Sequence, residues 1–337
     1  MKLSLEQIRK ITYGVESVFK TENGVGFSRF TEEERELFLP REEGFILDSY
    51  APSAVKLRFT TDAKELFIKV KTTHVNRRQY FSLDVIKNGV YFDSINNYEG
   101  VSLPLDYTTA KLPCGEFEKT FELGENEKTI TIFLPLSVKT EILELNLIGA
   151  TFINPKPYTK KAICYGDSIT QGYDTLKTSN SYVNKILEAF DTEGISKAIC
   201  GEVFLPSLPE KCTIENPDFI TVAYGTNDWR KVTKKEYIRD CTAFYKILSN
   251  KYKNSKIFAI TPLWRKDLDM KTDFRDFLEP TEIIENAVKD LKNVTLIKAY
   301  DFIPKKEENF ADQRLHPNDK GFTYFANELI KELKKYL

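Results

Sequence analysis

The stretch Ala162-Ile163-Cys164-Tyr165-Gly166-Asp167-Ser168-Ile169 carries the fold class of this chain. Four apolar residues read as a buried parallel strand, a glycine permits a sharp turn, and a serine falls at the start of the next helix. A second stretch repeats the arrangement. Phe219-Ile220-Thr221-Val222-Ala223-Tyr224 reads as a strand, and Gly225-Thr226-Asn227-Asp228 as the loop at its carboxyl end. A third, Asp312-Gln313-Arg314-Leu315-His316-Pro317-Asn318, precedes an amphipathic helix expected from about Lys320 to Lys334. Ligands of open α/β sheets gather at the carboxyl ends of strands, so all three stretches fall where such a fold builds a site.

Each residue has a plainer use when taken alone. Ser168 after Gly-Asp is an ordinary helix cap, and Asn227-Asp228 after Gly225 is ordinary turn chemistry. Taken together they supply a nucleophile, oxyanion donors and a proton carrier, which are the parts that attack an ester carbonyl. Histidine is also scarce. The chain has only His74 and His316, so a single imidazole is on offer in the C-terminal half.

From about residue 160 to 337 these motifs resemble those of the SGNH (GDSL-type) esterase and lipase superfamily. The resemblance implies that Ser168 is the nucleophile and His316, in its His-Pro context, the base. It implies an oxyanion hole formed by the Ser168 N–H, the Gly201 N–H and the Asn227 side chain, with Asp167 tying the serine loop together. One departure stands out. The family usually carries an aspartate three residues before the histidine, whereas this chain has Gln313 there and Asp312 one residue earlier. Either Asp312 reaches the imidazole through a loop with one extra residue, or a backbone carbonyl orients the ring, as in related Ser-His dyad esterases.

Composition narrows the alternatives. The 337 residues include 49 basic and 50 acidic ones, a net charge of −1, with no basic stripe or acidic tail. Binding to nucleic acid or to a membrane surface therefore has no electrostatic support. The N-terminal residues are interrupted by charge before a signal-length apolar run forms, and no ~20-residue apolar span occurs. A cytoplasmic location is expected. Cys114, Cys164, Cys200, Cys212 and Cys241 form no CxxC pair. With two histidines and no ligand-spaced cluster, neither a metal nor a cofactor is expected.

The first ~150 residues alternate apolar and polar side chains in short runs: Val55–Phe59, Leu66–Lys71, Tyr80–Ile86, Val90–Ser94, Phe117–Leu123, Thr129–Leu134 and Leu143–Ile148. Turn signals such as Lys87-Asn88-Gly89 and Gly124-Glu125-Asn126-Glu127 separate them. This pattern predicts an antiparallel β-sandwich domain over 1–154, with a short helix at about Thr31 to Leu37 ahead of the strands. It resembles the jelly-roll domain found ahead of some carbohydrate esterases. Asn154-Pro155-Lys156-Pro157 marks the boundary, and 155–337 is expected to form a three-layer α/β/α hydrolase domain with a parallel sheet. Helices are expected at Ser181–Phe190, Tyr237–Asn250 and Thr281–Leu291, with strands at Lys256–Ile260 and Val294–Ile297.

The function expected from these features is a serine esterase that removes small acyl groups, above all acetyl, from carbohydrate. Its substrate would be an acylated oligosaccharide or another small ester. Trp229 and Trp264, near the motifs, are candidate platforms for a sugar ring. A lipase or thioesterase of the same superfamily, and a non-catalytic sugar-binding protein on the same fold, are the competing expectations.

Overall fold

The computed structural model describes residues 1–75 and 78–337. Every strand up to Pro155 belongs to one of two antiparallel sheets, and every strand from Lys160 belongs to a third sheet, which is parallel. The first antiparallel sheet runs Ser17–Lys20, Val25–Ser28, Val138–Ile148, Glu65–His74, Glu116–Glu122 in spatial order. The second runs Thr12–Tyr13, Lys56–Thr61, Lys128–Phe133, Ser82–Lys87, Val90–Asn96, with Ile153–Pro155 added on Lys56–Thr61. Period-two alternation sends Leu66, Ile68 and Val70 of one sheet and Leu57, Phe59, Ile130 and Ile132 of the other into a single shared core. Each of the seven expected runs overlaps a strand of these sheets, although Tyr80 and Phe81 precede theirs, which begins at Ser82.

Several N-terminal elements escaped the sequence pattern, the helix Glu43–Asp48 among them. The helix Leu5–Ile11 is only seven residues long, and the hairpin of Ser17–Lys20 with Val25–Ser28 has short, partly exposed strands. The short helix at Glu32–Glu36 lies where expected, capped by Thr31 and Glu34 in a capping box.

The parallel sheet has the spatial order Thr192–Ser196, Lys160–Gly166, Phe219–Ala223, Lys256–Ile260, Val294–Ile297. Sequence order reverses beside Lys160–Gly166, because the second strand packs on one side of it and the third on the other. A doubly wound sheet of this order opens its ligand crevice between its first and third strands, between the loops that carry Ser168 and Asn227. Alternate residues of the central strand feed the two faces. Ile163 and Tyr165 pack with Tyr237, Phe244 and Leu248 of the helix Lys234–Lys251. Ala162 and Cys164 pack with Ile186 of Tyr182–Ala189 and with Phe325 and Leu329 of Asp319–Leu333.

The boundary near Pro155 separates the strands but not the packing. Phe30, Phe38 and Phe45, which precede it by more than a hundred residues, belong to the apolar cluster on the parallel sheet. Arg29, 1% exposed, donates to the carbonyls of Asp48 and Ala51 and, across the junction, to those of Ser196 and Ala198. Burial lowers its pKa to about 9. The Lys197 ammonium, equally enclosed, meets Glu16 at 2.8 Å and Glu34 at 2.5 Å. No helix among the described residues is long and apolar enough to cross a membrane.

Candidate active site

Ser168 opens a one-turn helix, Ser168–Gln171, at the carboxyl end of the central parallel strand. Asp167 caps it by accepting the Ile169 N–H at 3.0 Å. Burial pushes the Asp167 carboxyl up to about 6. Gly166 allows the turn to close, since a Cβ there would lie 2.0 Å from Thr170 Oγ1 and 2.8 Å from the Ala223 carbonyl. Ser168 Oγ lies 2.9 Å from His316 Nε2. His316 Nδ1, on the far side of the ring, lies 3.0 Å from Asp312 Oδ2.

The four-residue spacing between Asp312 and His316 is absorbed by the loop itself. Gln313 adopts a left-handed φ of +54°, and Asp312 Oδ1 accepts the N–H groups of Arg314 (3.0 Å), Leu315 (2.7 Å) and His316 (3.0 Å). The turn is closed below by Ala311 N–H donating to the His316 carbonyl at 2.8 Å. Burial alone would raise the Asp312 carboxyl. The hydrogen bond and charge of His316, with the Leu315 and His316 N–H groups, outweigh burial and hold it well below the usual carboxylate range. Of the two routes open in the sequence, the side-chain carboxylate is the group that meets Nδ1.

Gly201 lies in the loop after Thr192–Ser196 at a φ of +82°. A side chain there would be strained, and its Cβ would stand 3.1 Å from Lys231 Nζ and 3.4 Å from Phe45 Cε1. This loop is stitched to the serine loop: Ile199 N–H donates to the Gly166 carbonyl, and Cys200 N–H to Gln171 Oε1. Asn227 ends the loop after Phe219–Ala223, and its Nδ2 donates to the Glu202 carbonyl at 3.1 Å, next to Gly201. The neighbouring Asp228 joins the same loops by accepting the Phe204 N–H at 3.0 Å and the Gly225 N–H at 3.1 Å. Burial pushes its carboxyl up to about 7, and that of Glu202, beside Arg41, also to about 7.

Trp229 differs from expectation. Trp229 is 1% exposed, edge-on to Phe277, with the Arg265 guanidinium 5.1 Å from its ring centre. It is a core residue, and no sugar ring can stack on it. Sequence proximity misled here, because the turn Asp228–Lys231 points the indole inward. Trp264 is half-buried against Phe310 in the loop leading to His316.

One carboxylate was missed. Asp174, fully enclosed, brings Oδ2 to 3.3 Å from His316 Nδ1. Asp174, Asp312 and His316 thus gather three ligand-type atoms within 4.8 Å of one another. The donor set suits hydrogen bonding better than a metal. Arg78 spans both Asp174 oxygens at 2.6 and 2.8 Å, so that carboxylate already has a cationic partner. With Nε2 accepting from Ser168, Nδ1 carries the ring proton and has no lone pair for an ion.

No curated protein matches the sequence. Among solved structures, the salicylyl-acyltransferase SsfX3 of a tetracycline biosynthetic pathway superposes with a TM-score of 0.77 at 17% identity, over 96% of this chain and 94% of that one. A Bacteroides ovatus protein named as a GDSL-like lipase gives 0.77 at 18%, over 99% and 97%. The acetyl xylan esterase Est2A of Butyrivibrio proteoclasticus gives 0.64 at 14%, over 99% and 98%. At such identities the likeness is one of fold, including a β-rich portion ahead of the parallel sheet. The sequence itself matches the model of the GDSL-like lipase/acylhydrolase family over residues 164–323, from the central strand through the serine, asparagine and histidine loops into the final helix. Those residues form a GDSL-like lipase/acylhydrolase domain, which supports a hydrolase of the esterase type.

Proposed function

We propose that the protein hydrolyses small acyl esters, acetyl foremost, on a carbohydrate, with Ser168 as nucleophile, His316 as base and Asp312 as the acid that orients it. The observation that carries this is the aligned run from Ser168 Oγ to Nε2 at 2.9 Å and from Nδ1 to Asp312 Oδ2 at 3.0 Å. Ser168 Oγ attacks the acyl carbonyl and passes its proton to Nε2. The Ser168 and Gly201 N–H groups and Asn227 Nδ2 stabilise the oxyanion. As the C–O bond breaks, Nε2 returns the proton to the departing alcohol oxygen. Water then attacks the acyl-enzyme, gives its proton to Nε2, and releases the carboxylic acid and Ser168.

Residues 155–337 supply the reacting groups in this scheme, and residues 1–154 act as a jelly-roll-like accessory domain. A small acyl group suits the crowding of Phe45 and Lys231 around Gly201. A polar leaving group suits the charged residues near the site: Arg41, Arg78, Lys231 and Arg314 keep 25%, 16%, 31% and 42% of their side chains exposed. A long lipid chain would have to desolvate them. The fold shared with an acetyl xylan esterase agrees with a sugar ester, and half-buried Trp264 remains the aromatic candidate for the sugar ring.

The test compares 4-nitrophenyl acetate, butyrate and octanoate, then follows acetylated xylan, mannan and pectin fragments by mass spectrometry. Expected are acetate preference, loss of acetyl mass from one fragment class, and no turnover by Ser168→Ala. Preference for octanoate, or transfer of the acyl group to an added alcohol in place of water, would replace this assignment.

A further inference from the structure

Asp174 lies 3.3 Å from the imidazole nitrogen that also faces Asp312, and nothing in the scheme above uses it. We propose that Asp174 is a second positioning residue for His316, held on target by Arg78 and Tyr80 of the antiparallel half. This rests on the assignment of His316 as base.

Nδ1 lies between two carboxylates, hydrogen-bonded to Asp312 Oδ2 at 3.0 Å and 3.3 Å from Asp174 Oδ2. They arrive from different directions. Asp312 comes from the histidine's own loop. Asp174 follows the helix that carries Ser168, two residues after the left-handed cap Gly172. The Asp174 backbone is itself left-handed, at a φ of +74°. A non-glycine residue holds that conformation where its surroundings fix it, and here the surroundings are identifiable. Arg78 Nε and Nη2 donate to Oδ1 and Oδ2 at 2.6 and 2.8 Å, and the Tyr80 hydroxyl also donates to Oδ1. Tyr107 donates to the Asp174 carbonyl at 2.5 Å, and Tyr98 to that of Leu176 at 2.9 Å. All four residues belong to the antiparallel half.

An enclosed carboxylate persists as an anion only if it is paired and hydrogen-bonded, and a two-pronged guanidinium is the strongest such partner. Burial works against the Arg78 charge, but the bonds and charge of Asp174 more than compensate and hold its pKa above the ordinary arginine value. The pair is therefore fixed. Its carboxylate faces the ring while its cation lies behind. When the imidazolium forms during attack, it meets two anions and not one. Other titratable groups near the ring, among the described residues, include Asp167, Tyr173 at 6.3 Å, Tyr80 and Cys200 beside Asp174, and Arg314, whose guanidinium is 3.9 Å from Asp312.

Two histidines make a direct measurement feasible. In the full-length Ser168→Ala protein, nitrogen-15 NMR follows the titration of His316 against exposed His74 as internal reference. Removing either anion should favour the neutral ring. Asp174→Asn and Asp312→Asn should each lower the His316 midpoint by about one unit or more and leave His74 unmoved. Asp174→Asn takes from Arg78 the carboxylate that it spans, so the neutral replacement of both residues, Arg78→Met with Asp174→Asn, is the companion variant. It too should lower the midpoint. In the Ser168-containing enzyme the same variants should lower kcat with KM held, and move the acidic limb of kcat/KM to lower pH. If Asp174→Asn and the paired variant leave His316 in place while Asp312→Asn moves it, Asp174 only braces the fold and the proposal fails. The titration needs no turnover. An enzyme inactive on every ester would sink the esterase assignment and leave this result readable.

Discussion

Asp312 grips His316 twice, with Oδ1 accepting the backbone N–H at 3.0 Å while Oδ2 lies 3.0 Å from Nδ1 of the ring. One carboxylate both folds the loop and aims the imidazole. Asp312→Asn keeps an acceptor for the loop but presents an amide to Nδ1, which favours the wrong tautomer. The expected result is a fall in kcat of about 10²- to 10⁴-fold with little change in KM. Steady-state kinetics on a chromogenic acetate would check it. A loss under about tenfold would remove Asp312 from the orienting role.

Gln313 takes the left-handed conformation that lets the longer spacing work. Gln313→Gly should therefore be neutral or stabilising by up to about 1 kcal/mol, whereas Gln313→Ile should destabilise by at least as much. Gln313→Asp restores the usual three-residue spacing but should bring no gain in kcat, because Asp312 already occupies the Nδ1 side. Urea denaturation and kinetics on the three variants decide this. A faster Gln313→Asp enzyme would mean that the natural loop holds His316 imperfectly.

Asn227→Ala should lower kcat by about 10²- to 10³-fold, the usual cost of one oxyanion donor. Its Nδ2 also ties the Glu202 carbonyl, so circular dichroism and the melting temperature belong beside the kinetics. An enzyme that melts early yet keeps its kcat would assign Asn227 to the loop alone.

Asp228 gives a pH signature in stability. Its carboxyl is pushed up to about 7 by burial, against ~3.9 for an exposed aspartate. Between those values the folded state binds more protons than the unfolded one. The stabilising contribution is thus complete below the unfolded value and lost as pH rises toward 7. Asp228→Asn gives up one of two backbone acceptors, which should cost about 1 kcal/mol at pH 5. At pH 8 the gap from wild type should narrow or reverse. Urea titrations at the two pH values test this, and an equal gap at both would contradict the buried-proton account.

Much of this was legible because it is periodic. Leu66, Ile68 and Val70 alternate on one strand, and Tyr237, Phe244 and Leu248 repeat at helical spacing, so elements and faces follow from the pattern. Ser168, Asn227 and His316 were legible because each lies in a recognisable motif at or just ahead of a helix start. Asp174 was not, since its place beside Nδ1 depends on Arg78 and Tyr80, about a hundred residues away across the sheet junction. The edge strand Thr192–Ser196, short and interrupted by Glu193 and Gly194, carries no apolar run to announce it. Trp229 was misplaced for the opposite reason. Adjacency to a motif says nothing about which way a one-turn helix faces.

The three phenylalanines that leave the N-terminal portion to complete the core of the parallel sheet bear on how such a chain is inherited. Phe30, Phe38 and Phe45 are encoded well upstream of Pro155, yet they are buried downstream of it. A genetic crossover at the apparent linker would hand a recipient a hydrolase with part of its interior missing, and would strand Lys197 without Glu16 and Glu34. Exchange of the front portion between relatives is therefore viable only when the donor carries matching aromatics and acids, so the two portions are bound to diverge as a pair.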